Sequence, residues 1–256
     1  MAVETLVPAT ADEAATLFGD GEGITVVAGG TILMPLINAG QVAPTRALLL
    51  HRTGLDAIET VGAVVRIGAT ATLEALAGGS EELLARFASE VADGEVRRAA
   101  TLGGNLCAPP GAVVSRGDLG APLVALGARV RSTGAGGERT EPIEDFLAGS
   151  RNDRLVLGVE YDDGVRRVGA ATMRRRHAHS YSIANVAVCE RPDGLRVGVS
   201  GVGDTAVRCR SVEASREPVD VLRDVEPVDD ALATAAYRRE ILPLLVRRAL
   251  DELETR

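Results

Sequence analysis

The chain contains no lysine and no tryptophan, and aromatic residues make up only 2% of its 256 residues. All 28 basic side chains are therefore arginines. The lack of lysine excludes Schiff-base chemistry on a lysine side chain and a P-loop of the lysine type. The shortage of aromatic rings limits any site built on ring stacking to three Tyr and three Phe side chains.

Cysteine is scarce as well. Cys107, Cys189 and Cys209 are odd in number and far apart, a pattern that fits neither a disulfide framework nor a CxxC-based zinc or iron–sulfur site. No apolar run approaches the length of a membrane span, and the N-terminal segment lacks the basic start and apolar stretch of a signal peptide. We therefore expect a cytoplasmic protein with reduced thiols.

The composition is otherwise that of a globular protein, with 46% apolar and 25% charged residues. The formal net charge is −8. Because nucleic acids are bound mainly through a surplus of basic charge, this balance argues against a nucleic-acid partner.

The first part of the chain alternates between helical and strand patterns, which indicates α/β units. The predicted elements are helices over 11–19, 32–40, 72–78 and about 81–91, strands over 24–30, 47–51 and 63–69, and a helix turning into a strand over 118–132.

The stretch 134–149 is rich in glycine and charge, and we expect a domain boundary there. The predicted domains are residues 1–149, with subdomains of about 1–50 and 51–149, and residues 150–256. Beyond the boundary, four short β-rich runs predict an antiparallel meander: 154–161, 168–176, 183–191 and 194–203. A helical region follows from about Asp229, which Pro243 should kink or break.

The candidate binding segments are two glycine pairs, in AGGT (28–31) and TLGGN (101–105). A bound diphosphate needs backbone N–H donors, close approach and no intruding Cβ atom, which paired glycines beside Thr and Asn provide. Neither stretch matches GxGxxG or a P-loop, and a tight turn explains either one alone. Together they favour one elongated ligand held at two places, such as a dinucleotide.

The surrounding residues resemble a known family. VVAGGTILMPLINAG resembles the first flavin loop, and EVRRAATLGGNLC the second, of the FAD-binding medium subunits of molybdenum hydroxylases, the xanthine dehydrogenase and carbon monoxide dehydrogenase families. DLGAPLVALGARV, RRRHAHSYSIANVAV and AYRREILPLLVRRAL are similar to later family segments in the same order. The resemblance therefore covers nearly the whole chain.

This resemblance implies an α+β fold of the vanillyl-alcohol-oxidase (PCMH) type, with two α/β subdomains that bind FAD and a C-terminal domain of antiparallel sheet and helices. It assigns cofactor contacts to a first glycine segment, residues 28–32, and a second glycine segment, residues 101–105. The residues so assigned are Ala28, Gly29, Gly30, Thr31, Ile32, Thr101, Gly103, Gly104 and Asn105.

Two further residues are assigned by the same resemblance. Asp118 matches an acidic residue near the ribitol or ribose hydroxyls, and its alternative role is to cap the helix that starts near Leu119. Tyr181 matches an aromatic residue that lies against the isoalloxazine, and the alternative is a tyrosine packed in the core or on a sheet.

The chain departs from the family pattern around the flavin. Thr31 stands where His is common, Ser180 replaces Asp, and Thr172 lies about where a lysine is often found. The spacing from Asn105 to Asp118 is also longer than usual. Because charge near the ring tunes a flavin, these changes imply a differently tuned site.

Other motifs are explained without a ligand. His177 and His179 have no Asp, Glu or Cys at ligand spacing, so we expect no metal site. The run from Arg174 to Arg176 is read either as a patch for an anion or partner, or as a solvated face. Cys107 has no partner base and is read as packing. We name no acid–base catalyst.

The resemblance implies an FAD-binding subunit that passes electrons from an iron–sulfur partner to a final small-molecule acceptor. Its expected partners are a [2Fe–2S] small subunit and a molybdopterin large subunit. Two alternatives stay open: a stand-alone FAD-dependent oxidase or dehydrogenase acting on a small metabolite, and a flavin-free scaffold subunit.

Overall fold

The structure is a computed structural model that describes residues 3–108, 118–149, 151, 153–165, 167–175 and 181–255. It is an α+β fold in which three sheets share the chain. The predicted helices and strands of the first 132 residues are present, with two additional strands that the sequence did not predict: β1 (Glu4–Leu6) and β4 (Ile58–Val61).

The N-terminal unit is a three-stranded parallel sheet in the order β1, β3 (Arg46–Leu49), β2 (Ile24–Val27). Helix α1 (Ala11–Phe18) connects β1 to β2, and α2 (Leu33–Asn38) connects β2 to β3. The Thr10 hydroxyl caps α1 by accepting from the Glu13 N–H, and Gly19 ends it at a φ of 58°. The alternation of strand and helix produces the parallel pairing.

The second unit is a five-stranded antiparallel sheet in the order β4, β5, β8, β6, β7. The strands not yet given are β5 (Val64–Gly68), β6 (Arg129–Gly134), β7 (Arg139–Pro142) and β8 (Arg154–Asp162). The helices of this unit are α3 (Leu73–Ala77), α4 (Glu82–Glu90), α5 (Gly94–Ala99), α6 (Leu102–Leu106), α7 (Gly120–Ala125) and α8 (Ile143–Ala148). Buried side chains such as Leu73, Phe87 and Leu102 form its core.

The run 154–161 was predicted as the first strand of the meander, and that prediction is wrong. It forms β8, the central strand of the five-stranded sheet, paired with β5 and β6 on either side. Seven of its nine residues are buried, so it is covered on both faces. The sheet thus continues past residue 149, where the sequence predicted a boundary.

The C-terminal unit contains the meander that the sequence predicted, built from the remaining runs. Its strand order is β12 (Val207–Arg208), β11 (Gly194–Ser200), β10 (Ser182–Arg191), β9 (Arg167–Arg174). Two short helices, α9 (Arg210–Ser215) and α10 (Val221–Asp224), with a 3-10 turn (Pro218–Asp220) between them, lead towards α11 (Ala235–Thr255).

Helix α11 runs through Pro243 without a break, so of the kink or break that the sequence predicted, the break does not occur. A proline removes the hydrogen bond to the carbonyl four residues earlier, here that of Arg239. Arg239 is exposed, so water can take that place. The apolar face that includes Ile241, Leu245 and Val246 is packed in the core of the C-terminal unit, which holds the helix in place.

Candidate functional site

One cavity of about 480 Å³ brings the two glycine segments together. All nine residues that the sequence assigned within the two segments line it, and Tyr181 lines it as well. Its volume lies in the range of small-molecule and cofactor sites. Part of its lining is apolar and comes from β2, α2 and β8, with side chains that include Val26, Leu36 and Leu155.

The first glycine segment connects the end of β2 to the start of α2. Gly30 has a φ of 71°, a left-handed conformation that favours glycine. Within the part of the chain that the structure describes, no N–H group of residues 28–32 donates to a protein acceptor. The segment therefore offers a set of unpaired donors on the cavity wall, as binding of a phosphate requires.

The first segment lies against the residues that lead into the second, although the two segments are about 70 residues apart in the chain. A Cβ atom built on Gly29 would collide with the Ala99 carbonyl oxygen, and it would lie 3.2 Å from the Ala100 Cα atom. Ala100 directly precedes Thr101, so the first segment lies against the entrance to the second. Glycine at position 29 is thus required by the other segment.

The second glycine segment is a helical turn, whereas the sequence predicted a loop. The Thr101 hydroxyl caps α6 by accepting from the Gly104 N–H at 3.2 Å. The N–H groups of Leu102 and Gly103 donate to Ala71 and Ala69 on the neighbouring strand connection. Most N–H groups of this segment already donate to protein acceptors. The segment therefore contributes close-packed backbone to the cavity wall and few free donors.

Asn105 is the polar side chain of the second segment and is only 5% exposed. Its Oδ1 accepts from the Leu119 N–H at 3.0 Å, and among the described residues its Nδ2 amide has no acceptor. The neighbouring Asp118 is not part of the cavity wall. Its Oδ1 accepts from Asn185 Nδ2 at 3.1 Å, which ties this region to β10.

Tyr181 lies on the cavity wall just before β10. Burial, and secondarily the Asp118 carboxylate, raise the pKa of its phenol. The hydroxyl is therefore neutral across the physiological range and can donate a hydrogen bond.

Sequence reasoning missed two arginines of the cavity wall, Arg151 and Arg154. Arg154 begins β8 and is only 8% exposed. Arg151 donates to the Leu106 carbonyl at the end of α6, at 3.2 Å. Only the pairing of β8 inside the sheet brings these residues to the second glycine segment, and the sequence around them carries no motif.

The other candidate residues add no chemistry to the site. Cys107 also lines the cavity, and burial raises the pKa of its thiol to about 11, which supports the packing role. Arg174 and Arg175 are exposed and donate to backbone carbonyls. Arg176, His177, His179 and Ser180 lie outside the described residues. Within the described ranges, no group of three or more His, Cys, Asp or Glu side chains is placed to hold a metal ion.

The arrangement suits an elongated, anionic ligand with an apolar end. It provides unpaired backbone donors, an amide, a phenol and two guanidinium groups around one cavity. An FAD molecule has these features, because a diphosphate joins its two ring systems. The residues present therefore fit that cofactor.

Comparison with known proteins also indicates an FAD-binding domain. Residues 1–161 match a family model described as the FAD binding domain in molybdopterin dehydrogenase. The chain is 26% identical to the 6-hydroxypseudooxynicotine dehydrogenase complex subunit alpha of Paenarthrobacter nicotinovorans, over 93% of this chain and 90% of that protein. It is 26% identical to the carbon monoxide dehydrogenase medium chain of Hydrogenophaga pseudoflava, over 95% and 94%.

The fold is also that of a solved structure. Carbon monoxide dehydrogenase from Hydrogenophaga pseudoflava, in a form that lacks the Mo-pyranopterin moiety of its cofactor, matches with a TM-score of 0.86 at 24% identity. The match covers 100% of this chain and 98% of that chain. None of the helices among the described residues combines the length and apolar character needed to cross a membrane.

Proposed function

The chain belongs to the family of FAD binding domains in molybdopterin dehydrogenases, and on this premise we propose that it is the FAD-binding medium subunit of a molybdenum-hydroxylase-type oxidoreductase. The single observation that carries the proposal is the cavity in which both glycine segments meet. Relatives that match over nine tenths of this chain are named as a medium chain and a complex subunit of dehydrogenases.

We assign the diphosphate to the first glycine segment, residues 28–32, because its N–H groups have no protein acceptor among the described residues. Thr101, Gly103, Gly104 and Asn105 form the opposing wall, where Asn105 Nδ2 is the available donor. Such donors orient a phosphate without moving when it binds.

Tyr181 is assigned as the contact to the flavin ring because it lies on the same cavity wall. Asp118 is assigned a different role from the one the sequence suggested. It anchors Asn185 and precedes Leu119, whose N–H holds the Asn105 side chain, so it positions the second glycine segment.

FAD, when bound, supplies the redox chemistry of such a subunit, in which electrons arrive from an iron–sulfur partner and leave to a final acceptor. The three cysteines of this chain are free and scattered, so an iron–sulfur cluster has to come from another subunit. We therefore propose a [2Fe–2S] small subunit and a molybdopterin large subunit as partners. The free thiols also support a cytoplasmic location.

We also propose that residues up to β8 form the FAD domain of the vanillyl-alcohol-oxidase (PCMH) type, with the parallel sheet and the five-stranded sheet as its two subdomains. The central place of β8 in the five-stranded sheet supports a boundary near residue 162 in place of 149. The core nevertheless continues into the C-terminal unit through Val168, Ala187 and Cys189.

The proposal is tested on the purified full chain by its absorption spectrum before and after acid release of bound cofactor. We expect flavin absorption and released FAD in near-stoichiometric amount. A colourless chain that takes up no added FAD would contradict the proposal and favour a scaffold role. Co-purification of two further subunits separates the medium subunit from a stand-alone oxidase, which would oxidise a small metabolite without them.

A further inference from the structure

The cavity wall has a local charge opposite to that of the protein. Its described lining residues include two guanidinium groups, Arg151 and Arg154, and no carboxylate. The whole chain carries a formal net charge of −8. A cavity whose permanent charges are both positive, inside an acidic protein, selects an anionic ligand.

Arg154 is buried and forms no ion pair with any described residue. Its Nη2 donates to the Ser132 carbonyl at 2.9 Å and to the Gly137 carbonyl at 3.3 Å, and its Nε donates to the Ser132 hydroxyl at 3.2 Å. These neutral oxygens fix the guanidinium in place, and the carboxylates of Glu141 and Asp153 favour its charge without forming an ion pair with it. Among the described residues, its Nη1 has no acceptor and no carboxylate pairs with it.

The other buried arginines show that this is unusual for the chain. Arg238 is paired with Asp230 at 2.7 Å, and Arg191 lies 3.6 Å from Asp162. Burial of a cation costs free energy, and burial, with the Arg139 guanidinium second, lowers the pKa of Arg154, while Glu141 and Asp153 oppose that shift. An anion in the cavity would add the close partner that Arg238 and Arg191 have.

Arg151 lines the same cavity. It donates to the Leu106 carbonyl at 3.2 Å, which fixes it beside the second glycine segment. Of the described side chains, no carboxylate forms an ion pair with it. Its remaining N–H groups are thus available beside the C-terminal end of the second glycine segment.

We propose that Arg151 and Arg154 provide the positive charge that balances the diphosphate of the bound dinucleotide. This proposal rests on the FAD-binding function proposed above. A guanidinium matches the oxygen geometry of a phosphate and remains charged when buried, so two of them match the two negative charges of a diphosphate. The backbone donors of the first glycine segment then orient the group, and the arginines hold its charge.

The test measures the dissociation constant of FAD for the full chain after removal of bound flavin, by quenching of flavin fluorescence. We expect Arg151→Gln and Arg154→Gln each to raise it about tenfold or more, since each removes a charge-assisted hydrogen bond. Arg154→Lys keeps the charge but not the planar fork of donors, so it should weaken binding less than Arg154→Gln does. Both Gln variants should also show a weaker dependence of affinity on salt.

Arg248→Gln is the matched control, because it removes one charge from an exposed position on α11, away from the cavity. The assignment is overturned if both Gln variants bind FAD within about twofold of the wild type, or if Arg248→Gln weakens binding as much. If Arg154→Gln does not fold, Arg151→Gln and the salt dependence decide. A wild-type chain that binds no FAD contradicts the proposed function itself, whereas tight binding by every variant contradicts only the charge assignment.

Discussion

The four glycines of the two segments are required for different reasons. Gly29 lies against the Ala99 carbonyl, Gly30 has a positive φ, and a Cβ atom on Gly103 would lie 3.0 Å from the Ala69 carbonyl oxygen. A Cβ atom on Gly104 would meet only a side-chain atom, the Thr101 hydroxyl at 3.0 Å, and Gly104, unlike Gly30, has no positive φ. A side chain at position 104 would therefore extend into the cavity without meeting backbone.

This difference identifies Gly104→Leu as the substitution that blocks the cavity with the least change in the fold. We expect the variant to purify without FAD while its unfolding free energy stays within about 1 kcal/mol of the wild type, since leucine favours helices. Released flavin and urea unfolding measure the two quantities. Gly78→Leu is the control, at an exposed glycine outside the cavity that should keep FAD. Full FAD occupancy in Gly104→Leu would contradict the assignment of this wall.

Arg238 holds the C-terminal unit together from a fully buried position. It pairs with Asp230 and donates to the carbonyls of Ile183, Val228 and Ala233. Arg238→Ala leaves these groups unpaired, and we expect it to lower the unfolding free energy by about 3–5 kcal/mol. Arg239→Ala, at the exposed neighbour, should change it by no more than about 0.5 kcal/mol. Equal effects in urea unfolding would show that burial and pairing do not decide stability here.

Glu81 makes the stability depend on pH. Burial, assisted by the nearby Asp163 carboxylate, raises the pKa of its carboxyl above the ordinary value. The folded state therefore favours the protonated form, and this contribution to stability is lost as the pH rises through the raised pKa. Glu81→Gln is neutral at every pH and keeps an oxygen for the Leu83 N–H.

We expect Glu81→Gln to raise the melting temperature at about pH 8 and to change it little at about pH 4. Thermal unfolding at both pH values checks this. Glu95→Gln, at an exposed carboxylate, is the control and should show no such gain at high pH. A Glu81→Gln variant that is less stable than the wild type at high pH would show that the carboxylate is favourable in the fold.

Among the helices and strands, the sequence predicted those whose ends are set by residues close by in the chain, such as a capping threonine or a terminal glycine. Helix α1 is an example, since the Thr10 cap and Gly19 mark both ends. The second glycine segment was predicted as a loop because its glycines are poor helix formers, yet the Thr101 cap and the packing of Gly103 on Ala69 hold a helical turn. The same cap signal, a threonine three residues before Gly104, was present in the sequence.

Long-range pairing explains what local patterns could not predict. Strand β8 has the composition of a meander strand, but it pairs with strands from residues 64–68 and 129–134. Register between strands so far apart in the chain depends on the whole sheet and not on any short window.

One ion pair connects α4 of the second unit with α11 and β9 of the C-terminal unit. Arg86 on α4 makes two 2.7 Å bonds to Glu252 on α11 and donates to the Ala170 carbonyl on β9, while the Ala170 N–H donates back to Glu252. We expect a double-mutant cycle of Arg86→Ala and Glu252→Ala to give a coupling energy of about 1–3 kcal/mol in urea unfolding. The exposed pair of Arg46 and Glu4 is the control and should couple by less than about 1 kcal/mol. Equal coupling energies in the two cycles would show that the Arg86–Glu252 pair stabilises the fold no more than an exposed ion pair does.

For the whole molecule, the cavity depends on residues from all three units, from Ile24 in the parallel sheet to Tyr181 beside the meander. The sequence predicted its glycine segments and Tyr181 through motif and family resemblance. It did not predict Arg151 and Arg154, because an R-x-x-R spacing is common on surfaces and becomes a pair of cavity cations only through the fold. Asp118 was predicted for the ligand but lies outside the wall, bonded to Asn185.

The most direct measurement is a crystal structure of the full chain with bound FAD. The account predicts that the diphosphate lies between the two glycine segments, with its oxygens accepting hydrogen bonds from amides of residues 28–32. A structure in which FAD occupies another part of the surface, or in which those amides contact no phosphate oxygen, would contradict it.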